Sequence, residues 1–354
     1  MPKKAERPEV REVRMIRHSF AKAPRFFEFE KVIGCGRAGV ACTIVLKTGP
    51  DENDWRRFVV KRALGVRHQT ALRREIDILN KLAGALHIVQ PFFIDPAIIN
   101  PIDLLEGPTL FMEYLPNGTL EGFMDRIRNW EHPVPNRFLY RVFLCLLRAC
   151  VAMAWPMEAP VGGPIRLEEV PKAPFLQNLK AQYTHNDIHG KNILIGDMDQ
   201  EEHGLLPSFL LIDFGSALDK PPSYPNEGVR NNIRDVGLAM YTLIQKGEFP
   251  LNRRTGTISL QLPSGKRRIR TEGLALASPS AFPGLDPDLA VLLMWCLATE
   301  PRDAPGLEEI VAAVQWCVRS KRADAYAKSA AAYYETDRGL KDILDALVFN
   351  AALG

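Results

Sequence analysis

The six cysteines, Cys35, Cys42, Cys145, Cys150, Cys296 and Cys317, include no C-x-x-C pair in 354 residues. Without such pairs, and without a secretory leader, a disulfide scaffold is disfavoured and a reduced, intracellular protein, cytoplasmic or nuclear, is expected. An excess of one charge is lacking too. Lys and Arg number 45 against 42 Asp and Glu, and the net charge of +3 gives no reason to expect a nucleic-acid partner. Nor is there an apolar run fit to span a membrane. The nearest, residues 138–155, carries Arg141 and Arg148, which keep one helical face polar and predict a buried amphipathic helix. No internal repeat divides the chain. What remains is a globular composition, 46% hydrophobic and 25% charged, able to bury a large core as one two-lobed domain or two small ones.

Patterning divides the chain into four stretches. Residues 1–27 form a basic arm in which Lys3, Lys4, Arg7, Arg11, Arg14, Arg17, Lys22 and Arg25 face only Glu6, Glu9 and Glu12. A solvated arm is expected there, with docking or nuclear targeting as the alternative. Residues 28–115 read as strands around 32–33, 40–46 and 58–60, then a helix over 70–82 with Leu72, Ile76, Leu79 and Leu82 at helical spacing. Apolar runs follow at 88–94 and 110–115, separated by an extended loop at 95–108. Pro116-Asn117-Gly118 is a turn and a boundary. Residues 116–320 are mainly helical, at 120–130, 136–155, 232–246, 287–298 and 307–322, with a proline- and glycine-rich surface insertion at about 156–174. Residues 321–354 form a helical tail with Leu340, Ile343, Leu344 and Leu347 on one face. A basic loop, Arg253, Arg254, Lys266, Arg267, Arg268 and Arg270, flanks a hairpin and reads as solvated, with docking or localisation as the alternative. The fold class is α+β, a small β-rich part with one main helix before a larger helical part.

Three motifs carry chemistry. Gly34-Cys35-Gly36-Arg37-Ala38-Gly39 lies between two strands. A strand after it, in place of a helix, predicts a hairpin flap over phosphates, where side chains would block the approach of backbone N–H groups. Lys61 ends the apolar run Phe58-Val59-Val60, a costly place for an ammonium unless a carboxylate meets it. Glu75, within the following helix, is that carboxylate. Finally, His185-Asn186-Asp187-Ile188-His189-Gly190-Lys191-Asn192 precedes Ile193-Leu194-Ile195, and Asp213-Phe214-Gly215 follows Phe209 to Ile212. Turns at the ends of two adjacent strands can present carboxylate and amide oxygens to a metal–phosphate.

In this order the motifs resemble the protein-kinase-like superfamily over about residues 29–320. The resemblance implies a bilobal fold, with ATP and Mg²⁺ as ligands. Gly34, Gly36 and Gly39 would cover the phosphates, and Lys61 with Glu75 would clamp them. Ala41 and Val59 would roof the adenine, with the family's two side-chain sizes exchanged, a volume-conserving swap that a packed pocket tolerates. Met112 would stand at the back, Glu113 and Leu115 would offer hinge backbone groups, and Leu194 would be the floor. Asp187 is the implied base, Asn192 and Asp213 the metal ligands, and His185 a packing group under Phe214.

Departures from the family qualify the reading. Asn186 replaces the arginine that answers to phosphorylation of the activation segment, so that switch is not expected. His189 replaces a lysine, and Lys191 is the cation expected at the γ-phosphate. The string also resembles aminoglycoside and choline kinases, and the long excursion 196–207 resembles kinase-like proteins of fungi. After Gly215 the segment is short and lacks A-P-E, and Ala304 stands where the arginine partner of that glutamate would be. Expected is an ATP:protein phosphotransferase acting on Ser or Thr. The alternatives are a small-molecule kinase and a non-catalytic interaction module.

Overall fold

A computed structural model describes residues 6–49, 54–95, 105–172, 183–198, 202–219, 226–247 and 254–350. The fold is mixed α+β. Four antiparallel strands, β1 (Phe27–Cys35), β2 (Gly39–Leu46), β3 (Arg56–Ala63) and β4 (Thr109–Glu113), form one sheet in that order. Alternation gives it two different faces. Cys42, Ile44, Phe58 and Val60 point to one side and make a core of their own with Ile16 and Phe20. The β2–β3 register pairs Ala41 with Lys61, and the β3–β4 register pairs Val59 with Met112. Directly opposed residues share a face, so Ala41, Val59, Lys61 and Met112 lie together on the other side.

Ile16 and Phe20 belong to α1 (Pro8–Phe20), which overturns the expected solvated arm over most of its length. Pro8 opens the helix and Glu9 sits in its first turn, both favourable at a helix N-terminus. The i,i+4 pair Ile16 and Phe20 is fully buried, and Glu12 pairs with Arg62 of β3 at 3.1 Å. Two apolar residues among many cations were enough to fix one face, and the cations keep the opposite one. Lys3 and Lys4 lie outside the described residues.

Helix α2 (Val66–Lys81) begins four residues before the expected 70–82 and buries Leu72, Glu75, Ile78 and Leu79. The apolar run 88–94 is not a strand. It makes single bridges, Ile88 to Leu211 and Pro91 to Met112, because proline has no N–H for a ladder. Most of the expected loop 95–108 lies outside the described residues.

The second core surrounds α4 (Asn136–Ala154), in which every residue except Arg141 is buried. The polar face expected from Arg141 and Arg148 therefore fails at Arg148, which is enclosed and ion-paired with Glu202 at 2.7 Å. No helix among the described residues is long and apolar enough to cross a membrane. Around α4 stand α3 (Leu120–Ile127), α5 (Glu227–Ile244), α6 (Pro287–Cys296) and α7 (Leu307–Ser320), with the short pair β5 (Ile193–Ile195) and β6 (Phe209–Leu211). Thr119 caps α3 by accepting from the Gly122 N–H at 3.1 Å. α5 starts at Glu227, five residues before the expected 232.

Hairpin β7 (Gly256–Leu262) with β8 (Gly265–Thr271) forms as expected, its outer face carrying Lys266, Arg268 and Arg270 opposite Gln261, Ser259 and Thr257. Arg253 lies outside the described residues. The stretch 156–172 lies mostly at the surface but is tied down at two points. Arg166 exchanges backbone bonds with Gly84 and Leu86 at 2.8 and 3.1 Å, and Glu168 is buried. Residues 173–174 of that expected insertion lie outside the described part.

The tail is built into the second core rather than appended to it. Leu340, Ile343 and Leu344 of α8 (Asp337–Leu344) are buried as expected, and Leu347 is partly buried in the turn beyond. Just before α8, Glu335 accepts from the Asn136 and Arg137 backbone N–H groups at 2.6 and 3.0 Å. A carboxylate from the far end of the sequence thus caps α4.

Candidate functional site

Lys61 organises the site. Its Nζ lies 2.8 and 2.9 Å from the two Glu75 oxygens and 2.8 Å from Asp213 Oδ1. β3 supplies the lysine, α2 the glutamate, and the turn after β6 the aspartate. Burial disfavours the ammonium, but Glu75 and Asp213 overcome it and raise its pKa, so Lys61 stays charged. Asp213 is likewise pulled down against its burial by Lys61, so it is ionised. Burial pushes the Glu75 carboxyl upward, against Lys61.

Gly39 explains how close β2 can come to this lysine. A Cβ there would stand 2.8 Å from the Arg62 carbonyl and 3.9 Å from Lys61 Cε. Gly36 N–H donates to the Gly39 carbonyl at 2.9 Å, closing the tip of the β1–β2 hairpin, and Gly34 pairs with Ala41. The glycine motif is therefore a strand–turn–strand element over the face that carries Ala41, Val59 and Lys61.

The loop before β5 and the turn after β6 are locked together. Asn186 and Asp213 both have φ near +63°, a left-handed backbone that Asn and Asp tolerate better than most residues. The Asn186 amide donates to the Ser216 carbonyl at 3.1 Å. His185 is fully buried, donates Nε2–H to the Ile212 carbonyl at 3.0 Å, and meets the Phe214 ring edge-on at 4.7 Å. Packing under Phe214, as expected, is its place. Asn232 of α5 supports the loop from behind, accepting from His185 N–H at 2.9 Å and donating to the Tyr183 carbonyl at 2.7 Å. Sequence reading placed Asn232 only at a helix start. The signal was its polarity on a face otherwise buried with Val229, Ile233 and Val236.

His185 yields a pH prediction. Burial lowers its imidazole from 6.5 to about 4. A folded pKa below the unfolded one means stability fully present above about 6.5 and lost as pH falls towards 4, roughly 3 kcal/mol in total. Urea titrations from pH 7.5 to 4 should show this slope in the wild type minus His185→Gln difference. A flat difference would remove the burial explanation.

Asp187 and Asn192 meet at the mouth of the loop. Asn192 Nδ2 donates to Asp187 Oδ2 and to its carbonyl, both at 3.0 Å, which leaves the amide oxygen of Asn192 as its free ligand atom. His189 Nδ1 accepts from Lys191 N–H at 3.3 Å, and its Nε2 stands 3.3 Å from both Asp187 Oδ1 and Asn192 Nδ2. Lys191 itself does not join them. Its side chain is 71% exposed and its nearest carboxylate is Glu121 of α3, at 3.8 Å. The expected γ-phosphate cation thus lies aside, and His189 occupies the space beside Asp187.

The expected hinge is partly engaged already. Glu113 N–H donates to the Gln90 carbonyl at 3.0 Å, which removes that donor from an adenine edge. Its carboxylate accepts from Gln90 N–H at 2.7 Å, yet burial still raises it to about 7. Leu115 lies in the loop between β4 and α3, partly buried, and Leu194 is partly buried at the centre of β5. Compared with known families and curated proteins, the chain matches no family model and no curated protein.

Proposed function

We propose that the chain is an ATP-dependent phosphotransferase of the protein-kinase-like, bilobal type, acting on hydroxyl groups of Ser or Thr in proteins. The observation that carries this reading is the contact of one partly buried lysine with both Glu75 and Asp213, beside the Asp187–Asn192 pair. These groups fit Mg-ATP chemically. Asp213 is an ionised carboxylate already facing a cation, and Asn192 offers an amide oxygen, the hard ligands that Mg²⁺ takes. Bound Mg²⁺ would supply charge neutralisation on the β- and γ-phosphates.

The chain's own residues have distinct parts in the reaction. Glu75 holds Lys61 so that its ammonium can turn from Asp213 to the α- and β-phosphates. Asp187 accepts the proton of the acceptor hydroxyl as its oxygen bonds to the γ-phosphorus and the bond from that phosphorus to the bridging oxygen breaks. ADP departs, and the phosphoryl group ends on the acceptor. His189 packs beside Asp187 and limits where its carboxylate can move, and the glycine hairpin excludes water over the phosphates.

A small-molecule acceptor is the second reading, favoured by His189 beside Asp187 and by Ala304 in the cleft lined by Trp155, Val229 and Arg230. A platform for a peptide would run through 220–225, outside the described residues. Transfer of labelled phosphate to mixed proteins, against mixed hydroxylated metabolites, separates the two readings. Millimolar ATP with Mg²⁺ should raise the unfolding temperature of the wild type, by about 3 kcal/mol of stabilisation at a hundredfold excess over Kd. Asp213→Ala should abolish the shift. No shift in the wild type would defeat the nucleotide reading.

A further inference from the structure

A second group of polar side chains is enclosed away from Lys61 and takes no part in phosphoryl transfer. His87, Cys145 and His203 are 0%, 2% and 3% exposed, and one donor atom from each lies within 4.8 Å of the others. His87 Nε2 is 3.1 Å from His203 Nε2, and Cys145 Sγ is 3.4 Å from the same nitrogen. With ordinary Zn–N and Zn–S bond lengths, a tetrahedral shell sets two nitrogens about 3.3 Å apart and nitrogen and sulfur about 3.6 Å apart. Observed spacings are close to those.

His87 Nε2 and Cys145 Sγ both converge on His203 Nε2, so the three donor atoms face one point. Behind them, the buried Glu168 accepts from His87 Nδ1 at 2.6 Å and from His87 N–H at 2.7 Å. The proton held on Nδ1 turns the Nε2 lone pair towards Cys145 and His203, the orientation a carboxylate gives to a metal-bound histidine. Imidazole with thiolate suits zinc, whereas magnesium takes oxygen.

We propose that His87 Nε2, Cys145 Sγ and His203 Nε2 bind one structural Zn²⁺, with Glu168 orienting His87. Cys145 releases its thiol proton to solvent as the Zn–S bond forms, and a solvent molecule completes the shell. The ion fastens the 156–172 stretch and the excursion between β5 and β6 onto α4. It also backs β6, because the His87 carbonyl accepts from Leu211 N–H at 2.9 Å, two residues before Asp213.

The whole chain, stripped of metal by dialysis, would be titrated with Co²⁺ and then Zn²⁺, with Mg²⁺ as a control. Expected are about one equivalent bound, a thiolate-to-cobalt charge-transfer band, its loss on adding Zn²⁺, and no response to Mg²⁺. Cys145→Ser should lose the band, and Glu168→Gln should keep it while weakening Zn²⁺ about 10–100-fold. If Cys145→Ser does not fold, wild-type metal content decides. Less than about a tenth of an equivalent of zinc after saturation, or binding unchanged in folded Cys145→Ser, overturns the proposal.

Discussion

Asp187→Asn is expected to lower phosphoryl transfer about 10²–10⁴-fold while leaving the Mg-ATP shift in unfolding temperature in place. Two features separate the outcomes. The substituted amide keeps an oxygen to accept from Asn192 Nδ2, so the loop should hold its shape. It has no basic oxygen for the acceptor's proton, so the chemical step alone should suffer. Asp213→Ala differs in kind: it removes the proposed metal oxygen and one of the two carboxylates that hold Lys61, and should lose both stabilisation by nucleotide and turnover. Measuring turnover and thermal shift on both variants distinguishes a base from a ligand. Equal turnover in wild type and Asp187→Asn would refute the assignment of Asp187, and a retained shift in Asp213→Ala would refute that of Asp213.

Glu335→Ala should produce a large loss of stability, about 3–5 kcal/mol. The carboxylate is 2% exposed and accepts from the first two backbone N–H groups of α4 and from the Asn136 amide. Without it these donors stay buried without an acceptor, and Arg137 loses a neighbouring anion. A fall in unfolding temperature on the order of 5 °C is expected by calorimetry. Glu335→Gln should lose less, because its carbonyl still accepts. Equal losses would show that charge, rather than the number of acceptors, holds the end of α4.

Much of the fold and of the site could be read from residue order. Lys61 and Glu75 were paired because an ammonium at the end of an apolar strand needs a carboxylate, and local spacing located one. The β5 and β6 turns were found because their polar residues interrupt short apolar runs. Other contacts depend on distance in three dimensions. Glu335 is about 200 residues from its partners Asn136 and Arg137, and no periodicity connects them. His87, Cys145, Glu168 and His203 come from four separate stretches, so no motif spacing announces them. Lys191 stands apart for a different reason. Counting positions from Asp187 placed it near the phosphates, but the short 3₁₀ turn Gly190–Asn192 directs its side chain to α3 and leaves His189 facing Asp187. α1 was hidden by composition, since eight cations outweighed Ile16 and Phe20 in any average.

The bond from Asn186 to the Ser216 carbonyl joins two uncharged groups, and ionic strength acts on charges. Three residues further on, Lys81 reaches Asp219 at 3.4 Å with both side chains about half exposed, a pair that salt weakens. Between them Leu218 exchanges backbone bonds with Thr184 at 2.9 and 3.1 Å, so the chain leaving Asp213 is fastened by uncharged bonds first and by an ion pair last. Raising salt should loosen the fastening at Asp219 and leave those at Ser216 and Leu218 unchanged, so the Asp213 turn keeps its position at any ionic strength.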